Sequence, residues 1–274
     1  MNEEFLGQIE GASRWTQWLG AVFGAILVGL SGVLPLLVVP KTIAKDGKDR
    51  MLLNIMLGFA VGGLLGDVFL HLLPEAYQQA IDSGEETGLC KVGWSIITGI
   101  LVFLFLEKLL EISNPETDES RKKEENKKVL GYLNLMANCT DNLLHGLAVG
   151  TSFLTSWKLG LTTTFAILVH EIPHEFGDFA ILLNAGFDRW DAAKAQMSTA
   201  LIGMLGALLA LGLDSNNDLS SLLHNILPFT AGGFLNIALV TVLPTLMEEN
   251  RPWPAFLQFV SVIAGLISMY LLTN

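Results

Sequence analysis

Apolar residues along this chain come in long blocks rather than in helix-period or alternating stripes. Eight blocks stand between charged or Pro/Asn/Gly/Asp punctuation, at about 16–39, 51–75, 93–112, 129–155, 159–184, 192–213, 222–247 and 253–272. A helix that crosses the hydrocarbon core of a bilayer needs about 20 mostly apolar residues, so each block predicts one membrane-spanning helix. The fold class expected is all-α and polytopic: one transmembrane domain over residues 1–274, with the lipid bilayer around it. The longest connection, residues 113–128, mixes five acidic with five basic residues and has no apolar anchor. That pattern predicts a flexible cytosolic loop.

Composition agrees with the blocks. The apolar set makes up 51% of the 274 residues and charged residues 16%, against about 25% charged in a soluble domain. A soluble enzyme and a disordered chain are both excluded. Cys90 and Cys139 are far apart and form neither a disulfide framework nor a CxxC site. The first 14 residues carry Glu3, Glu4 and Glu10 instead of a basic n-region, so the first span is expected to act as its own insertion signal.

Charge also predicts orientation. Thirteen Lys/Arg residues fall in the connections after spans one, three, five and seven, among them Arg50, Lys127, Arg189 and Arg251. The opposite side has three: Arg14, Lys91 and Lys158. Positive charge stays in the cytosol, which places both termini on the lumenal or extracellular side. That side also carries Glu3, Glu4, Glu10, Asp82, Glu85, Glu86, Asp214 and Asp218, an acidic mouth that would concentrate cations.

The chain contains an internal repeat. Residues 58–75 read GFAVGGLLGDVFLHLLPE and residues 228–245 read PFTAGGFLNIALVTVLPT, with six of eighteen aligned positions identical. Spans two and seven run in opposite directions, so the repeat is inverted. Three spans, two central spans and three more give a 3+2+3 arrangement of the kind common in secondary transporters.

Ionisable side chains at mid-bilayer cost at least about 2.5 kcal/mol each on insertion scales, so they mark function. Span two holds Asp67, His71 and Glu75 on one face; span four holds Asp141, Asn142 and His145, with Asn138 a turn earlier. Span five holds His170, Glu171, His174, Glu175 and Asp178. His145 and His170 are equidistant from the turn between spans four and five, as are Asp141 and His174, at depths of about 19 and 25 Å. Imidazole plus carboxylate without thiolate suits Zn²⁺, Fe²⁺ or Mn²⁺. The metal ligands expected are Asp67, His71, Asp141, Asn142, His145, His170, Glu171, His174, Glu175 and Asp178. Pro173, inside this cluster, is expected to disturb its helix. His224 reads as interfacial, and Asn138-Cys139-Thr140 as an unused sequon inside a span.

His170 to His174 is also a literal H-E-x-x-H, the zinc-binding helix of metalloproteases, so an intramembrane zinc metalloprotease is the alternative. Proline between the histidines, the surplus of ligands and the ladder-like spread of polar residues all favour a path over a catalytic centre. No enzymatic activity, catalytic residue, catalytic cofactor or nucleic-acid partner is expected.

At these residues the sequence resembles the ZIP (Zrt/Irt-like) metal transporters, solute carrier family 39, in the subfamily marked by HEIPHE. The stretch HEIPHEFGDFAILLNAGFDRWDAAKAQ, from His170 to Gln196, carries the likeness, with GLLGDVFLHLLPE in span two and AGGFLNIALVTVLP in span seven. The resemblance implies eight helices, a metal site between spans four and five, flux of a divalent cation toward the cytosol, and a homodimer. Span four departs from the family's usual HNFxDG and reads Asp141-Asn142-Leu143-Leu144-His145-Gly146. That exchange of His and Asp resembles a metazoan branch that resides in the Golgi and related compartments and is linked to both zinc and iron. Residues 113–128 lack the subfamily's histidine-rich loop, and span six offers no carboxylate beyond Asp191 to bridge a second ion.

Overall fold

The computed structural model describes residues 14–40, 50–84, 86–113, 119–212 and 217–273. Every regular element among them is helical. Helix α1 runs through Arg14–Leu30, a 3₁₀ turn at Ser31–Val33 and a last turn at Leu34–Val38. Helix α2 joins Arg50–Asp67, a π turn at Val68–Leu72 and Leu73–Asp82. Then follow α3, Gly88–Ser113, and α4, Glu119–Thr155. Next are α5, Trp157–Asn184, and α6, Arg189–Gly212. Helix α7 joins Asn217–Leu235, a π turn at Asn236–Val242 and Leu243–Met247, and α8 is Pro252–Thr273.

Each apolar block thus falls in one helix. By length and composition, α1, α2, α3, α6, α7 and α8 can each cross a membrane. Helices α4 and α5 fall short on composition: they carry the Asn, Asp, Glu and His residues that lower their apolar content. The loop expected at 113–128 is a correction, because α4 is already helical from Glu119. Its charged start, Glu119-Ser120-Arg121-Lys122-Lys123-Glu124-Glu125, is built of helix-favouring residues with opposite charges three and four apart. Residues 114–118 lie outside the described residues. So do residues 1–13, Glu85 and Asp214, on which most of the expected acidic mouth and the insertion signal rest, and the side chains of Asp218 and His224. Cys90 and Cys139 are free thiols.

Among the most extensive helix pairs are α4 with α6, α2 with α8, and α3 with α7. Glycine explains each close approach. A Cβ added to Gly146 would stand 1.8 Å from the Gly203 carbonyl oxygen, across α4 and α6. One on Gly62 would stand 2.0 Å from the Val262 oxygen, across α2 and α8, and one on Gly232 would stand 2.2 Å from the Ile96 oxygen, across α7 and α3. Gly62 and Gly232 are identical positions of the repeat. Both repeat segments also contain a π turn that ends at a Leu-Pro pair, Leu73-Pro74 and Leu243-Pro244. Proline lacks the N–H that would close the preceding α turn, and the widened turn absorbs that loss.

Helix α5 lies among the others and touches α1, α2, α4, α6 and α8. It starts at Ser156, whose Oγ accepts from Leu159 N at 3.1 Å, an N-cap. It ends at Gly186, where φ is +91° and Phe187 N donates to Leu182 O, a left-handed stop that glycine takes without strain. Pro173 does not interrupt it. At one end of the molecule Arg50 at the start of α2, Lys127 of α4, Asp188 between α5 and α6, and Arg251 between α7 and α8 line a vestibule of about 520 Å³.

Candidate metal centre

Three helices build the site. Helix α5 contributes His170, Glu171, His174, Glu175 and Asp178, all buried because α5 is enclosed. Helix α4 contributes Asp141 and His145, and α2 contributes Asp67 at the last residue before its π turn. Asp67 is fully buried and bridges two rings: its Oδ1 lies 3.4 Å from His170 Nε2 and its Oδ2 lies 3.8 Å from His174 Nε2. His145 Nδ1 stands 3.3 Å from Glu171 Oε2 and 3.8 Å from Asp141 Oδ2.

The rings are also close to each other. The centroids of His145 and His170 are 5.5 Å apart, and those of His71 and His170 are 5.0 Å apart. Ligand atoms of His145, His170 and Glu171 fall within 4.8 Å of one another, as do those of Asp67, His71 and His170. Both oxygens of Asp67, both of Glu171, and His145 Nδ1, His170 Nε2 and His174 Nε2 are buried without a hydrogen-bond partner. Buried polar atoms are normally paired. Seven that converge unpaired, all imidazole nitrogens or carboxylate oxygens, form a donor set suited to a divalent transition metal.

The equal-depth expectation for His145 and His170 matches their ring contact. Asp67 sits at the centre, while His71 is part-exposed and its partner Glu75, 3.9 Å away, is more so. Asn142 is turned away from the convergent atoms and donates to Asn138 O at 3.1 Å and to Asn138 Oδ1. Glu175 is likewise held apart, accepting from Gln196 of α6 at its carboxylate and, at 2.9 Å, at its backbone oxygen. Asp178 stands 3.7 Å from His174 Nδ1 and accepts from Asn138 Nδ2, beside the centre.

Gln196 and Phe234, whose ring is 5.1 Å from that of His174, have no mark in the sequence. Asn134 and Asn138 do, through their i, i+4, i+8 spacing with Asn142. A cavity of about 350 Å³ leads to the site from the end opposite the charged vestibule, past Glu75, Gln79 and Thr162 to His71, Asp141 and His145. Toward the vestibule, Leu130, Leu133, Ala137 and Ile181 are packed in one apolar cluster. The site is therefore reached from one end and closed from the other.

A family profile described as ZIP Zinc transporter matches residues 16–273. The chain is similar to "Zinc transporter ZIP13" of Pongo abelii, 50% identical over 98% of this chain and 82% of the relative. It is 45% identical to "Zinc transporter ZIP13" of Homo sapiens, over 98% of this chain and 84% of that one. It is 40% identical to the "Zinc transporter ZIP13 homolog" of Drosophila melanogaster, over 99% and 93%. A membrane-embedded helical chain with a buried histidine–carboxylate centre, matched over nearly its whole length, belongs to the ZIP zinc transporter family.

Proposed function

We propose that this chain moves a divalent transition metal, zinc or iron, between an organelle lumen and the cytosol by alternating access. The observation that carries the reading is the set of seven ligand atoms of Asp67, His145, His170, Glu171 and His174 without hydrogen-bond partners, next to a cavity that His71, Asp141 and His145 line. The cation enters past Glu75 and His71, loses water among these atoms, and leaves past Asp178 once the Leu130–Ile181 side opens. Asp141 completes the set, while Asn142 and Glu175 join it on rearrangement. The ligand types accept Zn²⁺, Fe²⁺ or Mn²⁺, and the names of the relatives favour zinc.

Eight spans in a 3+2+3 inverted arrangement form the transport unit. The matched glycine crossings and π turns of α2 and α7 support the repeat, and the gathering of Arg50, Lys127 and Arg251 around one vestibule supports lumenal termini. A Golgi or endoplasmic-reticulum membrane and a homodimer follow from the family resemblance. A protease is disfavoured by the position of Glu171, which faces His145 of another helix rather than an open position on a metal held by His170 and His174.

Metal flux into proteoliposomes holding the purified chain, with Zn²⁺, Fe²⁺ and Mn²⁺ beside a His174→Ala control, tests the proposal. Flux that disappears in the variant supports it. Tight metal binding with no flux for any ion refutes it, and cleavage of a membrane substrate abolished by Glu171→Gln would then establish the protease.

A further inference from the structure

The inner half of the path holds a polar group that the metal centre does not use. Asn134 of α4 is 1% exposed, and neither its Oδ1 nor its Nδ2 has a hydrogen-bond partner. It shares a helix face with Asn138, one turn toward the metal centre, and Asn138 donates to Asp178. One turn the other way is Leu130, which lines a cavity of about 210 Å³ together with Asn184 and Thr241. Asn184 Nδ2 and Thr241 Oγ1 are also buried without partners. This cavity shares Arg50, Lys127 and Glu248 with the charged vestibule. From Asn138 to Leu130 the rise along α4 is about 12 Å, and Asn134 sits halfway across that closed gap. A buried amide with both atoms unpaired is costly, so one in mid-helix needs a reason.

We propose that Asn134, together with the Asn138–Asp178 pair, forms an all-oxygen relay station for the divalent cation between the histidine centre and the inner vestibule. The inference rests on the transport reading. Amide and carboxylate oxygens hold a transition metal less tightly than imidazole does, so a station of this kind takes the ion from the histidines and lets it go.

The test is Asn134→Leu, which replaces the amide with an apolar group of similar size. Zinc flux into proteoliposomes is expected to fall at least tenfold, while tight zinc binding at the histidine centre persists and the melting temperature is at or above the wild-type value, because the unpaired buried amide is gone. Wild-type flux in Asn134→Leu overturns the station while leaving transport established. Absent flux in the wild-type chain instead refutes the transport reading itself. If the leucine variant does not fold, Asn134→Asp decides, since it keeps the oxygen and adds charge. By equilibrium dialysis against Mn²⁺ it is expected to bind one more ion per chain than wild type, and no gain overturns the proposal.

Discussion

Gly62 and Gly63 are neighbours in sequence and opposites in environment, so alanine at each should move stability in opposite directions. A Cβ on Gly62 would lie 2.0 Å from the Val262 carbonyl oxygen, whereas one on Gly63 would meet nothing within 4 Å. A carbon–oxygen contact settles at about 3.3–3.6 Å, so Gly62→Ala must push α2 and α8 apart by about 1.3 Å. A gap of about 1 Å already loses up to half of the dispersion well across the contact. Overpacking costs about 1–3 kcal/mol, and the obstacle here is backbone, which cannot rotate away, so the upper value applies. The gain of about 1 kcal/mol in helix propensity leaves a net loss of about 2 kcal/mol. At about 2–4 °C per kcal/mol for a chain of this size, Gly62→Ala should melt about 4–8 °C below wild type. Gly63→Ala keeps the propensity gain and should melt at or slightly above wild type. Gly232→Ala should follow Gly62→Ala, because its Cβ would lie 2.2 Å from the Ile96 oxygen in the matching crossing of α7 and α3. Thermal melts of the purified variants in one lipid–detergent mixture measure all three. Gly62→Ala melting at or above Gly63→Ala would refute the α2–α8 crossing and the propensity argument with it.

Asp67→Asn keeps the size of the side chain but removes the charge that bridges His170 and His174; metal affinity by isothermal titration should fall about 10–100-fold. Metal binding should also weaken as pH falls from 7.5 to 5.5, because imidazole must give up its proton to ligate; dialysis at fixed free zinc checks this, and binding independent of pH contradicts histidine ligation. The vestibule should add nothing to that dependence through Glu249. Hydrogen bonds from Arg251 push its carboxyl down to about 2, so the pair is intact above the ordinary carboxylate range and is lost only as pH falls toward 2; Glu249→Gln should leave the pH profile of flux between 5.5 and 7.5 unchanged. Arg189 donates to the Leu36 and Val39 carbonyl oxygens at the end of α1, and charge-assisted bonds of this kind contribute about 1.5–3 kcal/mol. Arg189→Gln should therefore lower the melting temperature by several degrees.

The helices were legible because a bilayer demands about 20 apolar residues per crossing, a requirement that leaves its mark in linear order alone. The start of α4 was not legible, since its charged first turns carry helix propensity without an apolar stripe, and a mixed-charge stretch reads as loop. Within the site, helical spacing correctly placed His170, His174 and Asp178 together, and His145 opposite His170. Asp67 and His71 share a side as their spacing says, with ligand atoms within 4.8 Å of each other and of His170, but spacing alone did not give their depth. Asp67, the last residue before a π turn, is fully buried, while His71 also lines the open cavity. Glu175 shows a second limit. Its spacing from Glu171 says that it faces inward, but its partner is Gln196, a neutral residue of α6 with no periodic or ionic mark. The amides of α4 lie between these cases. Asn134, Asn138 and Asn142 repeat every four residues as plainly as the histidines do, yet a neutral amide lacks the large insertion cost that singles out an ion. Only the packing around them separates an amide that bonds its neighbour, as Asn138 and Asn142 do, from one like Asn134, whose two amide atoms are buried without a hydrogen-bond partner.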